Sequence, residues 1–290
     1  MLTDIKLSLL RGCSADEIYA TLSDEDKARL LKWGEGFKKS DLKELCGILT
    51  DIQNGKTEGI SDEMIRSSFL VCHNEYPKFN KKDRGAFIVI EGLDGSGKGT
   101  QFARCQTLLE QYGRLYTTAE PTASAVGGML RDVLGGITKK NAYEQAALFL
   151  ADRISHCTNE ANGIEKYLSS GINVLCDRYY YSTFAYQGTA CNMDWLINAH
   201  YGCEGIIRPD LCIFLDVSPA TCFSRVSKDR LHIEIFEQAQ TLQKVRDKFA
   251  QAFEKINDKE NIVIINADRT IDEVAADIKE VVTRFMGSKN

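Results

Sequence analysis

The chain of 290 residues is 43% hydrophobic and 27% charged, with a formal net charge of −5. This balance is ordinary for a globular protein and offers no basic surface for nucleic acid or an anionic membrane. No apolar run approaches the roughly 20 residues of a membrane-spanning helix, and the N-terminus, MLTDIKLSLLRGCSADE, is too acidic for a signal or transit peptide. We therefore expect a cytoplasmic protein with no nucleic-acid or membrane partner.

Residues 1–80 are predicted to form a small all-helical module. Helix-start signals recur in SADE, SDED and DLKE, where a capping residue precedes an acidic residue by three positions. Segments such as KARLLKW and LKELCGILTDI repeat leucine and isoleucine at helical spacing. The module has no catalytic-looking cluster, so we expect it to pack against the rest of the chain or to bind a protein partner. A DNA-binding helix-turn-helix is the alternative, and the lack of a basic face counts against it.

The pattern changes near residue 80, after the polar segment NEYPKFNKKD. The apolar runs AFIVIEG, RLYTTAEP, INVLCDRY, DLCIFLDV and NIVIINAD then alternate with helical segments, including one long helical region through YEQAALFLADRISHCTNEANGIEKYLSS. Continuous apolar runs are typical of strands that are covered on both faces. Residues 81–290 are therefore predicted to form an α/β domain, with a mostly parallel sheet of about five strands and helices on both faces.

A glycine-rich turn, EGLDGSGKGTQ, joins the first of these strands to a helix. Glycines let successive backbone N–H groups point at phosphate oxygens, the helix N-terminus adds partial positive charge, and the lysine reaches the β and γ phosphates. The turn therefore predicts a P-loop that binds ATP. The expected ATP-binding residues are Gly92, Leu93, Asp94, Gly95, Ser96, Gly97, Lys98, Gly99 and Thr100.

Two residues are candidate magnesium ligands. The usual P-loop places Ser or Thr directly after the lysine, whereas this chain has Gly99 there and Thr100 one residue later. Asp177 ends the strand INVLCD, at the sheet edge where open α/β folds bind ligands. The next residue, Arg178, offers a planar fork for phosphate oxygens. The alternative is a structural pair in which Asp177 and Arg178 neutralise each other.

The motifs EGLDGSGKGTQ, AEPT, LFLADR, DRYYYSTFAYQG and RPDLCIFLDV occur in this order, and together they resemble the thymidylate kinase (dTMP kinase) family. The resemblance covers the chain from about Gly85 to Met286 and leaves residues 1–80 unmatched. It implies a P-loop nucleoside monophosphate kinase fold and ATP-dependent phosphorylation of dTMP to dTDP by direct in-line transfer. We expect Mg²⁺ to bind with ATP, because transfer of the γ-phosphoryl group needs its charge neutralised, and the resemblance suggests a homodimer.

The resemblance assigns an acceptor site residue by residue. Asp94 corresponds to the carboxylate that contacts the 3′-hydroxyl of the acceptor sugar, Phe149 to the aromatic residue that stacks on thymine, and Arg153 to the arginine at the base edge. Arg178 corresponds to the arginine near the acceptor phosphate, and Tyr186 to the gate that crowds a ribose 2′-hydroxyl. The implied dTMP-binding residues are Asp94, Glu120, Pro121, Arg131, Phe149, Arg153, Arg178, Thr183 beside the thymine, Tyr186 and Gln187.

Two departures from the family pattern concern positive charge. Ala119 stands where relatives with T-R-E-P carry an arginine, although Arg131 corresponds to another arginine directed at the monophosphate. Gly95 stands where some members carry an arginine, so a lid, FSRVSKDRLHIE, has to provide the charge that faces the transferring group. The expected catalytic residues are Lys98, Asp94, Arg178, Arg225 and Arg230, with Lys228 as a further lid cation. The alternatives are a solvated arginine at 131 and a plain charged helix end at the lid.

The sequence therefore predicts a kinase that acts on dTMP. One rival is a kinase of the same fold that acts on another nucleoside monophosphate or on a deoxynucleoside. The other is a nucleotide-binding regulator with reduced catalysis, whose function resides in residues 1–80. The joint presence of Lys98, Asp94, Arg153 and Arg178 argues against the regulator.

Overall fold

The computed structural model describes residues 70–72, 84–226 and 232–288. Its strands are β1 (Leu70–Cys72), β2 (Phe87–Gly92), β3 (Leu115–Ala119), β4 (Asn173–Asp177), β5 (Leu211–Asp216) and β6 (Ile262–Asn266). They form one sheet in the order β1–β6–β5–β2–β4–β3. Strands β2 to β6 are parallel to their neighbours, and β1 is antiparallel to β6. The predicted parallel sheet of five strands is confirmed, and β1 adds a sixth strand at one edge.

Nine α-helices lie within the described residues. They are α1 (Lys98–Leu109), α2 (Ala125–Leu134), α3 (Ala142–Thr158), α4 (Ile164–Ser169), α5 (Tyr180–Tyr186), α6 (Met193–Tyr201), α7 (Pro219–Val226), α8 (His232–Ile256) and α9 (Ile271–Gly287). Strands β2, β5 and β6 are buried at every position, as a sheet with two covered faces requires. Helix α1 packs against α9, and α5 packs against α8. In this part of the chain, no helix is long and apolar enough to cross a membrane.

Local capping explains where several helices begin and why one predicted helical region is divided. Helix α3 begins with a capping box in which Asn141 and Glu144 exchange side-chain and backbone hydrogen bonds. The sequence pattern indicated one helical region from Tyr143 to Ser170, but α3 ends before Asn159. The Asn159 carboxamide oxygen accepts hydrogen bonds from the N–H groups of the residues two and three positions later, at 2.8 and 3.1 Å. This turn competes with the helix, so α4 begins separately.

Strand β1 lies within the region predicted as the N-terminal helical module. Its three residues pair with Val263, Ile264 and Ile265 of β6. Part of that region therefore extends the sheet of the α/β domain. The helices predicted before residue 70, and the polar segment that suggested a boundary near residue 80, lie outside the described residues, so the module and its boundary stay predictions.

Strand β1 pairs with β6, which would otherwise be an edge strand free to pair with other chains. Strand β6, with the sequence IVIIN, is strongly apolar, and an uncovered apolar edge strand is a template for pairing with other chains. We expect a variant that lacks residues 1–83 to aggregate, and a variant that lacks only residues 1–69 to remain free of aggregates. Light scattering at equal protein concentration distinguishes the two. Equal scattering would show that β1 does not protect the edge.

Candidate active site

The carboxyl ends of the parallel strands place the predicted motifs side by side. Asp177 at the end of β4 pairs with Ile90 of β2 and with Ala119 of β3. On the other side, Gly92 of β2 pairs with Leu215 of β5. From β2 the chain crosses first to β3 and β4 on one side and later to β5 and β6 on the other. The glycine-rich loop therefore starts at the point where open α/β sheets form a ligand-binding crevice.

Backbone geometry shapes the glycine-rich loop between β2 and α1. Gly92 has φ 152°, and a Cβ there would lie 2.8 Å from Ser96 Oγ. Gly97 is the N-cap of α1 with φ 89° and offers no capping side chain, so the first N–H groups of α1 are not capped from the loop. Lys98 Nζ donates hydrogen bonds to the carbonyl oxygens of Gly92 and Leu93, both at 3.0 Å. This is the arrangement that a phosphate-binding P-loop requires.

Several charged groups lie near Lys98 of the P-loop. Burial lowers the pKa of Lys98, and the nearby Arg178 lowers it further, while Asp94, Asp177 and Glu91 act in the opposite direction. Burial also raises the pKa of Glu91, against the effect of Arg178 and of hydrogen bonds that the carboxylate accepts. Lys98 and Glu91 are buried, where electrostatic interactions are stronger than in water, whereas the side chain of Asp94 is 65% exposed.

Arg178 is held next to the P-loop by two neighbours. It follows β4 with φ 67°, a conformation that is uncommon outside glycine and concentrates at functional sites. Its Nη2 lies 2.5 Å from Asp94 Oδ1, and its Nη1 donates to Ser182 Oγ at 3.0 Å. Tyr186 donates from its hydroxyl to Asp94 Oδ2 at 3.1 Å, and burial raises the pKa of that hydroxyl to about 12. The predicted residues Asp94, Arg178 and Tyr186 therefore form one contact group.

Glu91 supports this group, although no motif in the sequence indicated a role for it. Its carboxylate accepts hydrogen bonds from the N–H groups of Tyr179 and Ser182, at 2.7 and 3.1 Å, and from Ser182 Oγ at 2.7 Å. It thereby caps α5, because the N-cap residue Tyr179 makes no side-chain cap of its own. The available signal was a lone acidic residue inside the buried run FIVIEG.

The base side of the predicted acceptor site is a buried polar network around Arg153, which is 1% exposed. Its Nε and Nη2 donate to Glu120 Oε2 at 2.9 and 2.5 Å, and its Nη2 also donates to Thr183 Oγ1 at 3.3 Å. Its Nη1 lies 2.6 Å from Nε2 of His200, and His156 Nδ1 lies 3.0 Å from Glu120 Oε1. The structure thus joins three predicted residues, Glu120, Arg153 and Thr183, and adds two histidines that the sequence analysis did not single out.

Helix α3 also holds the loop that follows Glu120. Asp152 accepts hydrogen bonds from Thr122 N at 2.8 Å, Thr122 Oγ1 at 2.5 Å and Ser124 Oγ at 2.8 Å. Phe149 lies one helical turn before Arg153, is half-buried and does not belong to the hydrophobic core. Asp152 was missed because its partners are about thirty residues earlier in the chain.

Two further predicted acceptor residues are occupied by contacts within the protein. Arg131 is exposed, and its Nη1 donates to the carbonyl oxygens of Pro121 and Thr122 at 3.3 and 2.5 Å. Gln187 is buried, and its Nε2 donates to Gln145 Oε1 at 3.5 Å. Arg131 therefore braces the loop that Asp152 also holds. A direct contact of either residue with the acceptor stays a prediction.

Comparison with known proteins identifies the family. A family model described as thymidylate kinase matches residues 90–278. The chain belongs to the thymidylate kinase family. The probable thymidylate kinase of Pyrobaculum calidifontis is 36% identical over 204 residues, covering 70% of this chain and 98% of that protein. The probable thymidylate kinases of Methanococcus aeolicus and Pyrococcus horikoshii are 36% and 35% identical over 209 and 208 residues, covering 70% and 69% of this chain and 97% and 96% of those proteins.

Membership of the thymidylate kinase family confirms the resemblance, the fold class and the assignment as a kinase. The match to the family model begins inside β2 and ends inside α9, so it covers the P-loop, Arg153 and Arg178. Residues 1–80 lie outside it, as predicted. The role of each site residue is not decided by family membership, so those assignments are taken up again as proposals.

One cation of the segment that was predicted as a lid reaches the P-loop of this thymidylate kinase chain. Arg225, near the end of α7, donates from Nη1 to the carbonyl oxygen of Ser96 at 3.4 Å and from Nη2 to that of Ala267 at 3.3 Å. It thus bridges the P-loop and the segment after β6. Lys228 and Arg230 lie outside the described residues, so their part in catalysis stays a prediction.

The donor set of the site suits magnesium. Three buried side-chain polar atoms of the described residues have no hydrogen-bond partner, namely Ser96 Oγ, Gln101 Oε1 and Asp177 Oδ1. A buried carboxylate oxygen without a donor suits a hard cation or one of its waters. Thr100 is exposed in the first turn of α1. In the same part of the chain, no three His, Cys, Asp or Glu side chains group to hold a metal alone. The residues therefore fit Mg²⁺ that binds together with nucleotide phosphates.

Proposed function

We propose that the protein transfers the γ-phosphoryl group of ATP to dTMP, giving dTDP. The observation that carries this proposal is the convergence of Lys98 in the P-loop with Arg178 and Asp94 at one crevice of a thymidylate kinase chain. In this proposal Lys98 serves the donor side, and Arg178 and Asp94 serve the acceptor side. One site can therefore hold both substrates end to end.

On the donor side, the backbone N–H groups from Gly92 to Thr100 and the ammonium of Lys98 would hold the phosphates of ATP. Arg178 would place its planar guanidinium between the acceptor phosphate and the transferring group, where charge develops during transfer. Asp177 and Thr100 would hold Mg²⁺ directly or through water, and the ion neutralises charge on the β and γ phosphates. In-line transfer needs no covalent intermediate, because positioning and charge neutralisation are sufficient.

On the acceptor side, Asp94 would accept a hydrogen bond from the 3′-hydroxyl, and Tyr186, which contacts Asp94, would crowd a 2′-hydroxyl. The half-buried ring of Phe149 would stack on the base. Arg153 can only donate hydrogen bonds, so it favours a base that presents a carbonyl oxygen, as thymine does, over one with an amino group there. Glu120, Pro121, Arg131, Thr183 and Gln187 would complete the pocket.

The proposal predicts a defined substrate preference. With ATP and Mg²⁺, the purified protein should phosphorylate dTMP faster than dUMP, UMP, CMP, AMP or thymidine at equal concentration. A coupled assay for ADP release across this panel measures the preference. Faster turnover of AMP or thymidine would contradict the dTMP assignment and favour the rival kinase. ATP binding without turnover of any of these acceptors would favour the regulator.

We also propose that the protein is a cytoplasmic homodimer, with residues 1–80 available to a protein partner. Exposed large apolar side chains support the dimer. Most of those on the described surface belong to α2, the turn after it, α3 and α6: Met129, Leu134, Ile137, Tyr143 and Trp195. Exposed apolar side chains that concentrate on neighbouring elements are typical of protein interfaces.

A further inference from the structure

His200 of α6 is a buried histidine in contact with the guanidinium of Arg153. It is 2% exposed, and its Nε2 lies 2.6 Å from Arg153 Nη1. Its Nδ1 lies 2.7 Å from the carbonyl oxygen of Leu196. The ring of Phe184 meets the imidazole edge to face, with centroids 5.2 Å apart. The imidazole is therefore fixed by one polar contact at each nitrogen and by an aromatic neighbour.

The two polar contacts determine the tautomer of His200. Arginine has only N–H donors, so Nε2 has to accept from Arg153. A carbonyl oxygen only accepts, so Nδ1 carries the proton and donates it to Leu196. Burial and the charge of Arg153 lower the pKa of His200 to about 3, in agreement with a neutral ring. His200 is thus an acceptor dedicated to Arg153.

The hydrogen bonds of Arg153 leave one donor unassigned. Arginine has five N–H groups. Within the described residues, Nε and the two N–H groups of Nη2 are directed at Glu120 and Thr183, and one N–H of Nη1 is directed at His200. The fifth N–H, also on Nη1, has no partner there. Because the guanidinium is planar, the contact with His200 on one N–H of Nη1 fixes the direction of the other.

We propose that His200 is a positioning residue of the acceptor site, which fixes the guanidinium of Arg153 so that its remaining Nη1 N–H is directed at the acceptor base. The inference rests on the proposed function in taking Arg153 as the residue that contacts the base. Glu120 alone would hold the Nε and Nη2 side of the guanidinium and leave Nη1 without an acceptor. A buried residue with only a packing role would not need to accept from a buried cation at 2.6 Å.

Two substitutions at His200 distinguish a role as hydrogen-bond acceptor for Arg153 from a role in packing. His200→Phe keeps an aromatic ring against Phe184 and removes the acceptor. His200→Gln places a carboxamide oxygen near the position of Nε2 and keeps an acceptor. Losing a hydrogen bond to a charged donor should raise the dissociation constant for dTMP roughly 10- to 100-fold in His200→Phe. The dissociation constant for ATP should change by less than about twofold. His200→Gln should bind dTMP nearly as tightly as the wild-type protein does.

Tyr201→Phe is the matched control on the same helix. It removes the hydroxyl that donates to the buried Glu260 at 2.6 Å and does not touch Arg153. We expect this substitution to lower the midpoint of thermal unfolding without changing the dissociation constant for dTMP. The proposal is overturned if His200→Phe weakens the binding of ATP and of dTMP equally, or weakens the binding of neither. It is also overturned if His200→Gln binds dTMP as poorly as His200→Phe does.

A measurement on the wild-type protein needs no variant and covers the case in which His200→Phe does not fold. Imidazole nitrogen NMR should show Nδ1 protonated near neutral pH, and the His200 signals should shift on addition of dTMP and not of ATP. A protonated Nε2, or His200 signals that do not shift when dTMP is added, would overturn the proposal. Failure of the proposed function is recognised separately, since wild-type turnover would then favour another monophosphate. That acceptor would replace dTMP in the same measurements.

Discussion

Replacing Arg178 with lysine should lower kcat by about 100- to 1000-fold, the effect of removing one preorganised group that meets charge in a transition state. Lysine keeps the positive charge but lacks the planar fork. Its ammonium therefore does not reproduce the fixed geometry in which Arg178 contacts Asp94 with Nη2 and Ser182 with Nη1. The KM for ATP should change by less than about threefold, because the P-loop holds the donor phosphates. Steady-state kinetics with each substrate varied in turn measure both effects.

Arg104→Lys is the matched control for this substitution. Arg104 lies on the exposed side of α1, where its Nη1 pairs with Asp272 at 2.6 Å. Exposed ion pairs of this kind contribute little to stability, so kcat and stability should stay near those of the wild type. A kcat for Arg178→Lys equal to that of the control would show that the fork of Arg178 has no part in transfer.

The largest loss of stability is expected from breaking the buried pair of Arg153 and Glu120. Both side chains are almost fully enclosed, with Nη2 and Oε2 2.5 Å apart. Either Glu120→Leu or Arg153→Leu leaves the other charge without its partner, which should cost about 3–5 kcal/mol of unfolding free energy. At this size, that corresponds to a fall of roughly 6–20 °C in the midpoint of thermal unfolding. Urea and thermal unfolding of the single variants measure the loss.

The double variant Glu120→Leu/Arg153→Leu tests whether the pair itself is responsible. With both charges removed, no buried charge is left unpaired, so the double variant should be more stable than the sum of the single losses predicts by at least about 2 kcal/mol. It should not regain wild-type stability, because His156 and His200 also lose their partners. Strictly additive losses would contradict a coupled pair.

Local sequence signals were sufficient for the five parallel strands and for the glycine-rich loop between β2 and α1. The glycine pattern around Lys98 and the apolar runs of β2 to β6 are contiguous in the chain, so spacing and periodicity identified them. The same signals overestimated the length of one helix, because the competing turn at Asn159 depends on a single side chain. They also did not predict β1, whose pairing with β6 joins residues that are far apart in the chain.

The buried polar contacts of Arg153 and Glu91 could not be predicted in this way. The partners in these contacts come from separate elements: Arg153 and His200 are 47 positions apart, and Glu91 and Tyr179 are 88 positions apart. No periodic pattern connects such positions, and family resemblance named Arg153 without naming what holds it. The directions of buried polar side chains follow from which helix packs where, and they become visible only in three dimensions.

The contact between Glu91 and Ser182 has a consequence for how the two substrates are spaced. Glu91 precedes the first glycine of the P-loop by one peptide bond, and Ser182 Oγ donates to Glu91 while it accepts from Arg178. Two consecutive hydrogen bonds therefore link the P-loop to Arg178, which we propose as the acceptor arginine. A displacement of about 1 Å at a reacting centre can cost about 100-fold in rate. In the proposed function, the interval between the two substrates is therefore set by the covalent geometry of the chain and by the hydrogen bonds that Ser182 makes with Glu91 and Arg178.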